Sequence, residues 1–261
     1  MKKLYVGIDV GGSTVRGILL RESTAKPIRI FRVPMPNNKS AFTRVLLELI
    51  KKLIGGYKIA GIGIGAPGFV DPKRNTLVRA QNIPFLKNWN PENILRSFRV
   101  PIRMDNDCKC FLRGEAFFGA GRGHKNIVAI AVGTGIGSGL LINGKIYRGS
   151  HNMAGELGHA VIDRGKTFEQ LGAKSAFLKT GDTSKIIGIG VANAINTLDP
   201  DIVILGGGGG LSKKVNMKTV RSVAQKYIIY SVRGKIPIVR GILGELAQAI
   251  GAALLFQNLP D

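Results

Sequence analysis

The chain has 261 residues, 44% hydrophobic and 21% charged, the balance of a globular protein with room for one large core or two smaller ones. Its net charge of +22 is spread evenly: residues 1–107 carry 19 Lys and Arg against 7 Asp and Glu, the remainder 19 against 9, and no basic run exceeds two residues. That excludes a basic tail, and the diffuse positive field suits small anions, so no specific nucleic-acid partner is expected. Two cysteines, Cys108 and Cys110, supply neither a disulfide framework nor a four-ligand zinc site. No apolar stretch approaches the roughly 20 residues of a membrane span, and Asp9 interrupts the N-terminal apolar run, so no signal peptide is read. A cytoplasmic protein with reduced thiols and no membrane partner is expected.

In chain order, residues 6–20 (VGIDVGGSTVRGILL) read as a strand, a glycine turn and a returning strand, and residues 28–34 (IRIFRVP) as a third strand. Residues 40–54 place Phe42, Val45, Leu46, Leu49, Ile50 and Leu53 at helical spacing, with Ser40 as N-cap and Gly55-Gly56 as the stop. Residues 59–68 (IAGIGIGAPG) form a β run without polar alternation, which predicts a strand buried on both faces. A short helix over 91–98, a strand over 100–107 (VPIRMDND) and a helix over 108–121 closed by glycine follow. Residues 128–142 (VAIAVGTGIGSGLLI) then repeat the opening pattern 122 positions on, with Gly11 matched to Gly133 and Gly17 to Gly139. A helix over 184–197 despite Gly188 and Gly190, a buried strand in DPDIVILGGGGG and a small-residue helix over 244–257 complete the chain. The mixture predicts an α/β fold of mixed sheets flanked by helices. The restarted pattern predicts an N-terminal lobe over 1–107 and a C-terminal lobe over 108–245, with a last helix, about 246–261, packing back on the first lobe.

Each repeated hairpin has the features of a phosphate cradle: an apolar strand, then a turn whose glycines let backbone N–H groups approach an anion. Two cradles imply two lobes facing one polyphosphate. The first copy has Asp9 where the second has Ala131. A carboxylate at a strand end beside bound phosphates is placed to hold the waters of Mg2+; the plainer reading is that Asp9 caps the turn.

Taken in order, IDVGGSTVRGILL, GIGAPGFVDPKRNTLVRAQNIP, DNDCKCFLRGE, AVGTGIGSGLLINGKIYRGSHNMAGELGH and IVILGGGGG resemble the motifs of the ROK sugar kinases, within the actin and hexokinase-type ATPase fold. The resemblance covers essentially the whole chain. It implies a two-lobed, ribonuclease H-like architecture with the active site in the cleft between lobes, ATP and Mg2+ as cofactors, and a homodimer. The acceptor it implies is the 6-hydroxyl of a hexose, glucose first, with N-acetylmannosamine, fructose or allose as neighbours.

Asp107 falls on the family's general base. Read from the residues alone it is first an N-cap for the following helix, and Asp105 competes two positions away. Asn82, Asn106, Asp107, Glu156, His159 and Glu169 fall on sugar-contacting positions. Nucleotide contacts are implied for Asp9, Gly11, Gly12, Ser13 and Thr14 on one side and Gly133, Thr134 and Gly135 on the other, with Gly206, Gly207 and Gly208 admitting the adenosine and Asp9 holding Mg2+ through water. One departure stands out: many relatives bind zinc in a Cys-rich loop after the His, whereas GHAVIDRGKTFEQLGAKSA has no cysteine. No zinc is therefore expected, and the loop that shapes sugar choice is altered. The family also contains sugar-sensing repressors with a DNA-binding segment ahead of the first motif. Here that motif begins within ten residues of Met1, and Asp9, both cradles and Asp107 are retained, which favours catalysis.

Overall fold

The opening pattern folds as an antiparallel meander, β1 (Leu4–Val10), β2 (Thr14–Arg21) and β3 (Arg29–Pro34). The computed structural model describes residues 2–210 and 215–259, and the chain divides into two units, Met1–Gly114 with Leu246–Asn258, and Glu115–Glu245.

In the first unit, α1 (Lys39–Ile54) is capped by Asn38, whose side chain accepts the Ala41 N–H. The expected cap, Ser40, instead lies inside the helix, because the extended backbone of Asn38 already aims an acceptor at the first free amide. Gly55 ends the helix in the left-handed conformation. Its buried stripe of Phe42, Leu46, Leu49, Ile50 and Leu53 packs on Val6, Ile8 and Val10 of β1. Next come β4 (Gly61–Ala66), the β5 (Phe69–Asp71) and β6 (Thr76–Arg79) hairpin, α2 (Glu92–Leu95) with a 3-10 turn over Arg96–Phe98, β7 (Ile102–Asn106) and α3 (Asp107–Phe118). Parallel pairing of β4 with β1 and of β7 with β4 gives the order β3-β2-β1-β4-β7. All of β4 is buried, as its unbroken apolar run predicts.

The second unit repeats this topology. β8 (Ile127–Val132), β9 (Ile136–Ile142) and β10 (Lys145–Tyr147) form a meander, and β13 (Ile202–Gly206) and β14 (Ile238–Arg240) add in parallel, giving β10-β9-β8-β13-β14. Between β10 and β13 lie a 3-10 turn over Leu157–His159, the β11 (Val161–Asp163) and β12 (Lys166–Thr167) hairpin, α4 (Phe168–Gly172), α5 (Lys174–Thr180) and α6 (Ser184–Leu198). After β13 come α7 (Gly207–Gly210) and α8 (Met217–Tyr227). Gly188 and Gly190 do not break α6; they are where Val223 of α8 and the Phe168 ring lie against it. Ile187, Val191 and Ile195 of α6 join Val220 and Ala224 of α8 over Val128, Ile130 and Val132.

Two further expectations change. The units divide inside α3, between Gly114 and Glu115, rather than ahead of it at residue 108. Glu115 shows why a helix can serve both: its buried carboxylate accepts the amides of Ala120, Ile242 and Leu243, which ties the last turn of α3 into the second unit. The last segment is not one helix over 244–257. Gly244 is left-handed at φ 63, so regular helix cannot begin there; 3-10 turns over Gly244–Leu246 and Leu254–Phe256 flank α9 (Ala247–Ala253), and Gln257 is extended. Residues 260 and 261, the end of the 246–261 segment expected to pack back on the first lobe, lie outside the described residues. In the first unit α9 covers β1 and β4, where Gly7 and Gly63 leave room for the carbonyls of Ala249 and Ala252. Among the described residues no helix is long and apolar enough to cross a membrane.

Candidate active site

In the first unit, Asp9, Gly65 and Asp105 align across the parallel strands β1, β4 and β7, near their C-terminal ends, where open α/β sheets gather ligands. Asp9 is buried and pairs with Arg16 directly opposite on β2, Nη1 donating to Oδ2 at 3.2 Å. Burial pushes the Asp9 carboxyl up to about 7, the nearby Asp107 charge adds to this, and Arg16 opposes both. The two acids at the end of β7 differ. Asp105 is 1% exposed, with Oδ1 accepting the Asn106 N–H, whereas Asp107, the first residue of α3, is partly exposed. Asn106 caps α3: its Oδ1 accepts the amides of Cys108 at 2.9 Å and Lys109 at 3.2 Å, and its Nδ2 donates to Gly68 O at 3.1 Å. Asp107 Oδ1 also accepts the Cys108 N–H, at 2.9 Å.

The first glycine turn is closed by Gly11 N–H donating to Thr14 O at 2.9 Å, and Ser13 O accepts Met35 N–H at 3.0 Å. The exposed Asn82 lies beside it: a Cβ placed on Gly12 would be 3.5 Å from the Asn82 Cβ. Asp9, Gly11 to Thr14, Asn82, Asn106 and Asp107 thus all belong to the first unit. Asp9 and Asp107 supply hard oxygens, and among the described residues no group of three or more His, Cys, Asp or Glu gathers to cage a metal. That donor set fits Mg2+ held by one or two carboxylates, water and phosphates.

In the second unit, the second glycine turn is closed by Gly133 N–H donating to Gly135 O at 2.8 Å. Gly206 pairs with Ala131, and Gly207, left-handed at φ 74, lies against the Val132 carbonyl, so the glycines after β13 sit beside this turn. In GELGH, Gly155 and Gly158 are buried against Ser138 and Ile136 of β9, while Glu156 and His159 face outward with Oε2 and Nε2 4.0 Å apart. The 3-10 turn over Leu157–His159 achieves this. The cysteine-free stretch that follows is the β11–β12 hairpin, with Arg164 and Gly165 both left-handed as a two-residue hairpin turn requires. Phe168 N–H returns to Ala160 O at 2.8 Å, which seats α4 beside His159. Glu169 on α4 reaches the second turn, Oε2 accepting the Ile136 N–H at 2.8 Å.

Two residues carried no clear signal in the sequence. Arg16 is legible only once the strands are paired through the turn, which sets it opposite Asp9. Ser138, whose Oγ donates to Gly155 O, stands out only as a polar residue in an apolar strand.

The sequence profile of the ROK family matches residues 5–175 and 168–259. The chain belongs to the ROK family. This ROK protein is 27% identical to a glucokinase of Streptomyces coelicolor, over 96% of its own length and 76% of that protein. It is equally similar, 27% over 94% of its length and 75% of the other, to a xylose repressor of Bacillus subtilis. Its fold matches a ROK family glucokinase from Streptomyces griseus in complex with glucose and AMPPNP, with a TM-score of 0.85, 24% identity and coverage of 97% of this chain and 98% of that one. The two units with one repeated strand order are the two lobes of this hexokinase-like fold.

Proposed function

We propose that this ROK protein is a sugar kinase that transfers the γ-phosphoryl group of ATP to the 6-hydroxyl of a hexose, glucose foremost, with Asp107 as general base. The observation that carries the reading is the state of the β7 terminus. Asp105 is sealed and Asn106 takes the capping role, while Asp107 stands at the strand end, partly exposed, beside Asp9. An alcohol attacks phosphorus only when its proton has an acceptor, and a positioned carboxylate supplies one. The glucokinases among the relatives, and the glucose and AMPPNP held by the Streptomyces griseus protein, support the choice of sugar and nucleotide.

Asn82 and Asn106 of the first unit and Glu156, His159 and Glu169 of the second then bind the sugar hydroxyls, and polar side chains in this role reject analogues that leave them unpaired. The turns over residues 11–14 and 133–135 cradle the phosphates, with Gly11 and Gly133 closing the turns, and Gly206 to Gly208 make room for the adenosine. Asp9 would hold Mg2+ through water, and the ion, when bound, neutralises charge on the terminal phosphates. With no cysteine after it, His159 serves the sugar rather than a zinc ion.

The test is an ADP-release assay over hexoses and N-acetylhexosamines with ATP and Mg2+, with calorimetric sugar binding in parallel. Turnover is expected with a hexose and is expected to vanish in Asp107→Asn, which still binds the sugar. Near wild-type turnover in that variant refutes the base. Sugar binding without ADP release from any sugar replaces the kinase reading with that of a sugar-responsive regulator, the kind of protein the xylose repressor is named for.

A further inference from the structure

Four connections, all within the second unit, join the segment bearing the sugar-binding candidates to the second phosphate turn. Glu169 Oε2 accepts the N–H of Ile136, the residue that follows the turn, at 2.8 Å. At the other end of the turn, Gly133 O accepts the Lys174 N–H at 2.9 Å. Ser138 Oγ donates to Gly155 O, and Gly158 lies so close to Ile136 O that no side chain would fit there. Gly135 has no room for a side chain either, because Glu169 Oε2 occupies the space.

We propose that Glu169 is a positioning residue that couples sugar occupancy to the geometry of the second phosphate turn, with one carboxylate oxygen on the Ile136 N–H and the other on a sugar hydroxyl. The proposal rests on the sugar and nucleotide assignments made above. The backbone that carries Glu169 is fixed, because a capping box between Thr167 and Gln170 holds the first turn of α4. Among the described residues its Oε1 has no protein partner. A sugar hydroxyl on Oε1 commits both oxygens, so the carboxylate that grips Ile136 is immobilised before the nucleotide arrives. Lys174, at the start of α5, extends the hold to Gly133. A nucleotide that meets an ordered turn loses less entropy on binding, and the linkage is reciprocal: each ligand tightens the other by the same factor.

The test measures Mg–AMPPNP affinity by calorimetry with and without the hexose of highest turnover, and the exchange rate of the Ile136 amide by NMR with the sugar alone. For the wild type, the sugar should tighten AMPPNP at least about fivefold, the low end of measured couplings, and slow Ile136 exchange by a similar factor. Glu169→Gln, which keeps an acceptor oxygen and a second polar group, should retain most of the coupling. Glu169→Ala should bind AMPPNP with an affinity that ignores the sugar, and its Ile136 amide should exchange faster without ligands. Independent binding of sugar and AMPPNP to the wild type overturns the proposal, as does Ile136 exchange that the sugar leaves unchanged. The exchange measurement uses the wild type, so it stays decisive even where Glu169→Ala has lost sugar binding. Sugar binding measured alone separates the two failures: no binding of any sugar refutes the kinase reading itself and this inference with it.

Discussion

The two glycine hairpins share a sequence pattern and a place in their sheets, yet they differ by one residue. Val10 pairs with Val15 across the first turn, whereas Val132 pairs with Ile136 across the second. The outgoing strands correspond, since Val6, Ile8 and Val10 face the α1 core as Val128, Ile130 and Val132 face the α6 and α8 core. The returning strands are therefore out of step with the sequence match. Gly17 lies opposite Ile8, but the residue opposite Ile130 is Ser138, and Gly139 pairs with Ala129 on the other face. A one-residue slip moves every side chain to the opposite face. The consequences are chemical. The first hairpin sets Asp9 against Arg16 where the second sets Ala131 against Gly137, and Gly17 yields space to Leu53 where Ser138 holds Gly155. One hairpin carries charge, and the other carries the connections to the GELGH segment and α4.

The largest expected effect tests whether the first lobe alone holds the chemistry. Asp107→Asn should lower kcat by about 10²- to 10⁴-fold, the range for a lost general base, with sugar affinity retained in calorimetry. The next tests the charge that distinguishes the first hairpin. The Asp9 carboxyl sits at about 7 when folded against an ordinary 3.8, so the folded state binds the proton more tightly. The contribution of Asp9 to the stability of the metal-free protein should therefore be full below about pH 4, fall by roughly 1.4 kcal/mol per unit as pH rises towards 7, and level off above it. Denaturant melts of Asp9→Asn should lose that slope; an unchanged slope assigns the pH dependence elsewhere.

A smaller effect comes from making the hairpins alike. Ala131→Asp introduces the carboxylate without its guanidinium, next to the proposed phosphate turn, and should raise the KM for ATP about tenfold by like-charge repulsion. Adding Gly137→Arg, opposite it on β9, should recover part of that loss; no recovery would mean that the pairing register does not govern the contrast. The smallest effect concerns α4, whose Glu169 reaches the second turn. Thr167→Ala removes the capping box and should cost about 1 kcal/mol, seen as a fall of a few degrees in Tm with a modest rise in sugar KM. A Tm change without any KM change would detach the cap from the sugar site.

Much of this was legible from one chain. The glycine turns, the buried run of β4, the helices α1, α3 and α6, and the strand leading into Gly206 follow from local chemistry, because periodicity and glycine placement are properties of neighbouring residues. The candidate site was legible as separate motifs, through their order along the chain. Helix ends were less so: Asn38 displaced Ser40 because a cap is decided by backbone direction, and the C-terminal segment broke because Gly244 and Gln257 adopt conformations that composition does not announce.

By itself the sequence determined the duplicated pattern, the family and the residue types available at each turn. Tertiary structure decided which residues face one another. Nothing in GGSTV and GTGI shows that one turn is a residue longer, since both fit the same spacing; hydrogen-bond pairing across the strands makes that choice. From it follow the Asp9–Arg16 pair and the setting of Ile136 at the end of the turn that Glu169 grips, while the parallel pairing of β7 with β4 buries Asp105 beside a partly exposed Asp107. These are contacts between distant residues, and their energies depend on burial and distance, which no local stretch of sequence contains.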